Sequence, residues 1–295
     1  MRTCLDCLPC LAKNAVELAR RSARGDAELE QRIAAAEMRI LAQAAQEGYR
    51  LSPPVYARQL IDEALAQCKG SVPDPWAEEK RTSTELAQQL MRKLPEIPGW
   101  DPDSFESRVR LAVAGNILDF SVYTDLDLDM AMASMATAFD KPIDKAAVAA
   151  LQRRMESARS ILWMFDNCGE AVFDRLLLEP YREKVTLGVR GIPMFNDVTP
   201  DELAASGYPE GYAGGGAVGT ANGLSGLEDA TCGEAFRAAY AGADLVVAKG
   251  QANFETMNER TDKPIAFLFL AKCPVVCRTV GAEPKTIQVV LHNFN

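Results

Sequence analysis

The chain has 295 residues, of which 48% are hydrophobic and 25% charged, an ordinary globular composition that argues against long disorder and fibrous folds. Its 32 Lys and Arg stand against 41 Asp and Glu, a net charge of −9, which argues against wrapping nucleic acid or docking on anionic membranes. A negatively charged ligand therefore needs a metal or a few local cations to offset the field. No run reaches the roughly 18 apolar residues of a membrane span, and Met1 to Cys7 has no apolar signal core. The expected location is cytoplasmic, with the eight cysteines reduced.

The first half reads as helix. Leu11 to Glu47 is rich in Ala, Leu, Glu and Arg, with apolar residues at helical spacing such as Ile33, Met38, Leu41 and Ala45. Pro53-Pro54 ends that region, and Val55 to Cys68 restarts the pattern. Gly70 to Pro75 is a loop, Thr84 to Leu94 a helix, and Pro95 to Pro102 a turn-rich connector. Phe105 to Phe120 and Asp129 to Phe139 are further helices. After about residue 155 short β-forming runs alternate with helical stretches, at 160–165, 184–189, 244–248, 264–270 and 286–291. Continuous apolar runs of this kind predict strands buried on both faces of a parallel sheet. The expected fold class is α/β: a mainly helical domain over 1–155, then a three-layer α/β/α domain with a mainly parallel sheet over 156–295.

Polar clusters follow three of these strands: Asp166-Asn167-Cys168-Gly169-Glu170, Arg190 to Thr199, and Lys249 to Glu255. In an open parallel sheet ligands bind beyond the carboxyl ends of the strands, so the three clusters converge on one edge. Asp166, Asn167 and Asp197 offer hard oxygen ligands suited to Mg²⁺ or Mn²⁺. Lys249 is a compact cation for a phosphate oxygen, while Gly169 and Gly250 permit close backbone approach beside helix N-termini. The competing reading is capping: Asp-Asn after a strand commonly caps the next helix, and Thr199-Pro200 reads as a helix start. The convergence of three clusters favours a site.

At these residues the sequence resembles the damage-control phosphatases, first catalogued as domain of unknown function 89. The matching stretches are Asp166 to Glu170, Asn196-Asp197-Val198-Thr199, Ala248 to Glu255, Ala114 to Asp119, and Lys272-Cys273-Pro274-Val275. The opening Cys4-Leu5-Asp6-Cys7 is similar to the cysteine-bearing microbial branch. The resemblance covers almost the whole chain in the same order. It implies a helical domain packed on an α/β/α domain, with a divalent metal (Mg, Mn, Co or Ni) held by Asp166, Asn167 and Asp197. It places Asn116, Asp119, Glu170, Lys249, Asn253 and Glu255 on the substrate side, with Gly250 beside them from the reading above. The implied activity is hydrolysis of phosphate monoesters of small metabolites such as sugar phosphates. Asp166 and Asp197 are the candidates to activate water at the metal or to attack phosphorus directly, and Lys249 is a further catalytic candidate. Cys168 stands where the family pattern has a small residue such as Ala, and the stretch Gly214 to Gly226 exceeds the usual connection.

Other signals are weaker. Gly214 to Gly219 matches G-x-G-x-x-G, but no strand-like run precedes it, so it reads as a flexible loop rather than a dinucleotide turn. Cys4, Cys7 and Cys10 share a helical spacing of three without a second matching pair. His292 is the single histidine, near the C-terminus and expected in solvent; a Ser-His-Asp hydrolase would depend on it, and histidine-ligated zinc sites need more. Trp163 and Phe165 read as core. The rival functions are a non-catalytic nucleotide or metabolite-binding protein and a dehydrogenase using the Gly-rich loop.

Overall fold

A computed structural model describes residues 1–68, 74–116, 128–209, 216–228 and 231–294. The first helices are α1 (Leu8–Ala23), α2 (Ala27–Gln46) and α3 (Pro53–Gln67). The single helical stretch expected over Leu11 to Glu47 is therefore two helices. The break falls where Arg24 and Gly25 take positive φ (49° and 92°) and Asp26 caps α2, accepting from Glu28 N and Leu29 N at 3.0 Å. These three helices share a core of their own that includes Leu11, Ile33, Tyr56, Leu60 and Ile61, closed by Trp76 and Met194.

Next come α4 (Ala77–Lys93), α5 (Phe105–Ala114), α6 (Leu128–Asp140) and α7 (Lys145–Ser157). Asp144 caps α7 through Ala146 N and Ala147 N, a start signal that the sequence reading passed over. Residues 117–120 of the expected 105–120 helix lie outside the described residues.

The rest of the chain alternates β1 (Ile161–Met164), α8 (Cys168–Leu178), β2 (Val185–Val189), α9 (Pro200–Leu203), β3 (Ala217–Gly219), α10 (Glu234–Gly242), β4 (Leu245–Lys249), α11 (Gly250–Met257), β5 (Ile265–Leu270), α12 (Pro274–Val280) and β6 (Ile287–His292). The strands form one sheet in the order β3-β2-β1-β4-β5-β6. All pairings are parallel except β5–β6, which is antiparallel. Every residue of β1, β4 and β5 is buried, as uninterrupted apolar runs require. Alternate residues point to opposite faces. Trp163, Leu187, Val247 and Leu268 meet helices α4 to α8 on one face, and Leu162, Val246 and Phe267 meet α10 to α12 on the other. The helices before residue 155 thus serve two cores: α1–α3 pack on one another, and α4–α7 form a layer on the sheet.

Two expectations are corrected. The Gly-rich stretch contains an edge strand, β3, parallel to β2; its three-residue length and two small residues hid it in the sequence. The G-x-G-x-x-G match therefore runs into a strand instead of leaving one, the reverse of a dinucleotide turn. His292 is half-buried, pairs with Ile265 and packs edge-on to Phe254 and Phe267; burial lowers its pKa. Trp163 and Phe165 are core residues, as read.

Candidate active site

The chain runs from β1 to β2 on one side and returns through β4 on the other, so β1 and β4 flank the switch point of the sheet, where a crevice opens beyond the strand ends. Phe165 to Asn167 leave β1 there, and Lys249-Gly250 leave β4. The segment after β2 folds back to join them. Asn167 and Asp197 form an antiparallel bridge, with Val198 N donating to Asp166 O (2.9 Å) and Cys168 N to Asn196 O (3.0 Å). This pairing sets Asp166 and Asp197, 31 positions apart in the sequence, on adjacent backbone segments. Thr199 and Glu202 then form a capping box that starts α9 and ends the loop firmly.

Asn167 occupies the N-cap position of α8 without capping it. Its side-chain nitrogen donates to Asp166 Oδ2 at 3.0 Å, as does that of Asn116 at 2.9 Å; Asn116 also reaches Glu170 Oε2 at 3.1 Å. Asn116 Oδ1 accepts from Lys272 Nζ at 2.5 Å. Asp197 accepts from Arg190 Nε at 2.6 Å and from Ser225 Oγ at 3.5 Å. Arg190 is fully buried, and among the described residues both its terminal nitrogens lack a partner.

Lys249 is also fully buried. The ammonium expected to meet a phosphate oxygen donates instead to Ala112 O (2.9 Å), Asp174 Oδ1 (2.7 Å) and Glu170 Oε1, which uses all three protons. Burial works against its charge, but Asp174 and Glu170 outweigh it and hold the pKa above the ordinary lysine value. Asp174 Oδ2 accepts from Trp163 Nε1 at 3.2 Å. Asn253 is a strut: its side chain donates to Phe165 O (3.1 Å) and Lys249 O (2.5 Å) and accepts from Gly226 N (2.6 Å), tying the β1 and β4 ends to the Gly-rich segment. Gly250 has φ +81°, and a Cβ there would lie 2.1 Å from the Asp166 carboxylate, so only glycine fits. Gly115 is similarly required, since a Cβ would lie 2.8 Å from Glu170 Cα.

The electrostatics are those of a buried acidic cluster. Burial, then the charges of Asp197 and Glu170, push Asp166 well above the usual carboxylate range. Burial raises Asp197 too, opposed by Arg190. Glu170 is pushed up to about 7 and Asp174 to about 6, chiefly by burial and against the pull of Lys249. Glu255 is raised to about 7 by burial, with Asp166 adding to it. A cleft of about 230 Å³ opens onto this cluster, lined by Cys7, Met194, Phe195, Asp197, Ser225 and Glu255 among others.

Among the described residues no group of three or more His, Cys, Asp and Glu forms a metal cluster by itself. The candidate set is instead two carboxylates and one amide. It fits a hard divalent cation on its chemistry: two carboxyls, both more than nine-tenths buried, adjoin, and among the described residues Arg190, on Asp197, is the one side-chain cation paired with either. Mg²⁺ commonly takes one or two carboxylates and completes its shell with water and substrate phosphate.

Of the residues singled out in the sequence, the structure gathers Asp166, Asn167, Asp197, Asn116, Glu170, Lys249, Gly250, Asn253 and Glu255 around this cleft and the cluster behind it. Asp119 lies outside the described residues. Arg190, Asp174, Gly115, Ser225 and Lys272 carried no assigned role. Asp174 had a readable signal, standing four residues after Glu170 on one helix face. The contact of Lys272 with Asn116 spans 156 positions and no local pattern marks it, whereas Arg190 and Asp197 stand only seven apart in the segment after β2.

Among the described residues no helix is long and apolar enough to cross a membrane. A family model for the damage-control phosphatase ARMT1-like domain matches residues 3–287. The chain is 31% identical over 299 residues to a damage-control phosphatase of Pyrococcus horikoshii, PH1575, covering 99% of both chains. It is 32% identical over 228 residues to a damage-control phosphatase of Archaeoglobus fulgidus, covering 72% of this chain and 74% of that one. The crystal structure of a DUF89 family protein, PH1575 of P. horikoshii, superimposes with a TM-score of 0.84 at 27% identity over 97% of this chain and 98% of that one. With a matching model over nearly its whole length and the same fold as a solved relative, the chain belongs to the damage-control phosphatase ARMT1-like family.

Proposed function

We propose that the chain is a divalent-metal-dependent phosphatase that hydrolyses phosphate monoesters of small metabolites, sugar phosphates among them. Family membership supports the reaction class. The observation that carries the metal reading is the Asn167–Asp197 bridge, which holds two buried carboxylates beside each other at the switch point of the sheet. Asp166, Asn167 and Asp197 are the residues that would hold Mg²⁺, Mn²⁺, Co²⁺ or Ni²⁺. Such a cation supplies charge neutralisation at a phosphate oxygen and in the transition state.

The chain's own residues divide the remaining work. Arg190 positions the Asp197 carboxyl through Nε and opposes the burial that raises its pKa. Asn116 and Asn167 orient Asp166 by donating to the same oxygen. Lys249 acts through Glu170 and Asp174, keeping two buried carboxylates compatible with the fold. Gly250 lets the backbone lie against Asp166, and Asn253 holds the two strand ends together. Glu255 lines the cleft with a carboxyl near neutrality, so at pH 7 a proton is available on it for a departing alkoxide. A second cavity of about 290 Å³ shares Asn14 and Phe195 with the cleft and adds Glu17, Glu79 and Asn196, a set of carboxylates and amides suited to sugar hydroxyls.

The test is phosphate release from p-nitrophenyl phosphate and a panel of sugar phosphates, with EDTA and then with each of the four metals, beside Asp197→Asn. Release restored by metal and lost in the folded variant is the expected result. Folded wild-type protein that releases nothing with any metal supports a non-catalytic metabolite-binding protein instead.

A further inference from the structure

We propose that Cys4 and Cys7 form a thiol–disulfide exchange site on the rim of the cleft, closing to an intramolecular disulfide on reaction with a low-molecular-weight disulfide. The phosphatase reading leaves these cysteines without a role, and the inference stands apart from it. Their sulfurs lie 3.7 Å apart, in contact but unbonded. A disulfide needs about 2.05 Å, so a change of side-chain torsion closes the gap without moving the backbone far.

The pair is held in place on both sides. Thr3 N and Thr3 Oγ1 both donate to Leu51 O, at 2.9 and 2.8 Å. Cys7 N donates to Cys4 O at 3.0 Å, closing a single turn of 3₁₀ helix over Leu5–Cys7. Asp6, between the two cysteines, pairs with Arg278 of α12. The thiols therefore meet on an anchored turn at the start of α1, not on a fraying tail.

The two sulfurs are unequal in the way sequential exchange requires. Cys4 is half-buried and open to a small reagent, whereas Cys7 is buried and lines the cleft together with Asp197 and Glu255. Burial also pushes the Cys7 thiol up to about 11, so it is the poorer first nucleophile at neutral pH. The Cys4 thiolate attacks one sulfur of the reagent disulfide, forms a mixed disulfide and releases one thiolate. Cys7 then loses its proton to solvent and attacks the Cys4 sulfur, releasing the second thiolate. In the sum, two protein thiols and one reagent disulfide become one protein disulfide and two reagent thiols. The closed ring spans only four residues, so it stabilises the fold little and reverses readily with excess thiol.

The test equilibrates the full chain with graded ratios of oxidised to reduced glutathione, quenches it in acid, blocks free thiols and cleaves before aspartate. Cleavage before Asp6 separates residues 1–5, carrying Cys4, from 6–25, carrying Cys7 and Cys10. The expected product is these two peptides joined, with the intact protein lighter by two hydrogens. The bond should persist in Cys10→Ser and Cys273→Ser. Cys7→Ser should stop at a glutathione adduct on Cys4, and dithiothreitol should reverse both products. The proposal is overturned if Cys4 and Cys7 stay fully blockable at every ratio while the protein is folded, or if the bond forms with Cys10 or Cys273 instead.

Discussion

Gly250 opens α11 with φ +81°, and its missing side chain is the space that the Asp166 carboxylate fills. In Gly250→Ala the new Cβ would stand 2.1 Å from Asp166 Cγ and Oδ2 and 2.4 Å from Oδ1. To reach ordinary contact at 3.4 Å the carboxylate has to recede by about 1.3 Å, and misplacement on that scale costs roughly 10²-fold in rate. The expected loss of kcat/KM is therefore about 100-fold, equivalent to about 2.7 kcal/mol of transition-state stabilisation. The positive φ adds its own penalty of about 1–2 kcal/mol to stability, so strain and displacement have to be separated. Gly281 provides the control: it has φ +69° at the end of α12, with nothing within 4 Å of an added Cβ. Gly281→Ala should lower the thermal midpoint by the φ penalty alone, less than Gly250→Ala does, while leaving turnover intact. The assay is p-nitrophenyl phosphate hydrolysis at saturating Mn²⁺, with a Mn²⁺ titration by calorimetry on EDTA-treated protein. A folded Gly250→Ala that keeps wild-type kcat/KM and Mn²⁺ affinity would falsify the placement of Asp166 at the reacting centre.

Three further predictions concern the buried charges. Lys249→Met leaves Glu170 and Asp174 buried without their cation, so denaturant unfolding at pH 8 should show a loss of about 3–5 kcal/mol. That loss should shrink toward pH 5 as the carboxyls take up protons, and an equal loss at both pH values refutes the pairing. Glu37 in α2 is buried with neither carboxyl oxygen partnered among the described residues, and burial, then Glu63, pushes it up to about 8 from 4.5. The native state then keeps a proton that the unfolded chain releases, so stability falls as pH rises from about 4.5 to 8. Glu37→Gln should remove that slope, its advantage over wild type in thermal midpoint widening from pH 5 to pH 9; parallel curves count against it. Glu255→Gln should slow sugar phosphates, whose alkoxides need a proton, at least tenfold more than p-nitrophenyl phosphate, whose phenolate does not. Equal slowing of both esters rules out the proton-donor role.

The readable parts of this chain are those in which one short stretch carries the whole signal. β1, β5 and the first four residues of β4 are uninterrupted apolar runs because both their faces are covered, and no loop gives that pattern. Once they are parallel, the polar residues at the ends of β1 and β4 fall at one edge, which is why the sequence alone brings Asp166 and Lys249 together. The break at Gly25-Asp26 was also legible, as a glycine followed by a capping aspartate, but the Ala- and Glu-rich helices on either side masked it. What no local pattern carried was the use made of each charge. Lys249 looks from the sequence like a phosphate-binding lysine, since it follows a strand and precedes a glycine. Its neighbours decide otherwise: Glu170 and Asp174, 79 and 75 positions away, sit one turn apart on α8, and the packing of α8 on the sheet turns both of them inward. Arg190 is the converse case, the first residue of the polar cluster after β2 but given no role, which the fold buries with one nitrogen on Asp197 and two without a partner among the described residues. The two changes are linked by charge balance. With Lys249 committed to Glu170 and Asp174, Arg190 is the one side-chain cation among the described residues paired directly with Asp166 or Asp197, and the raised pKa of both carboxyls reflects how little positive charge offsets their burial. A divalent cation bound there would offset both carboxylates, so the internal pairing of Lys249 is consistent with the proposed metal rather than against it.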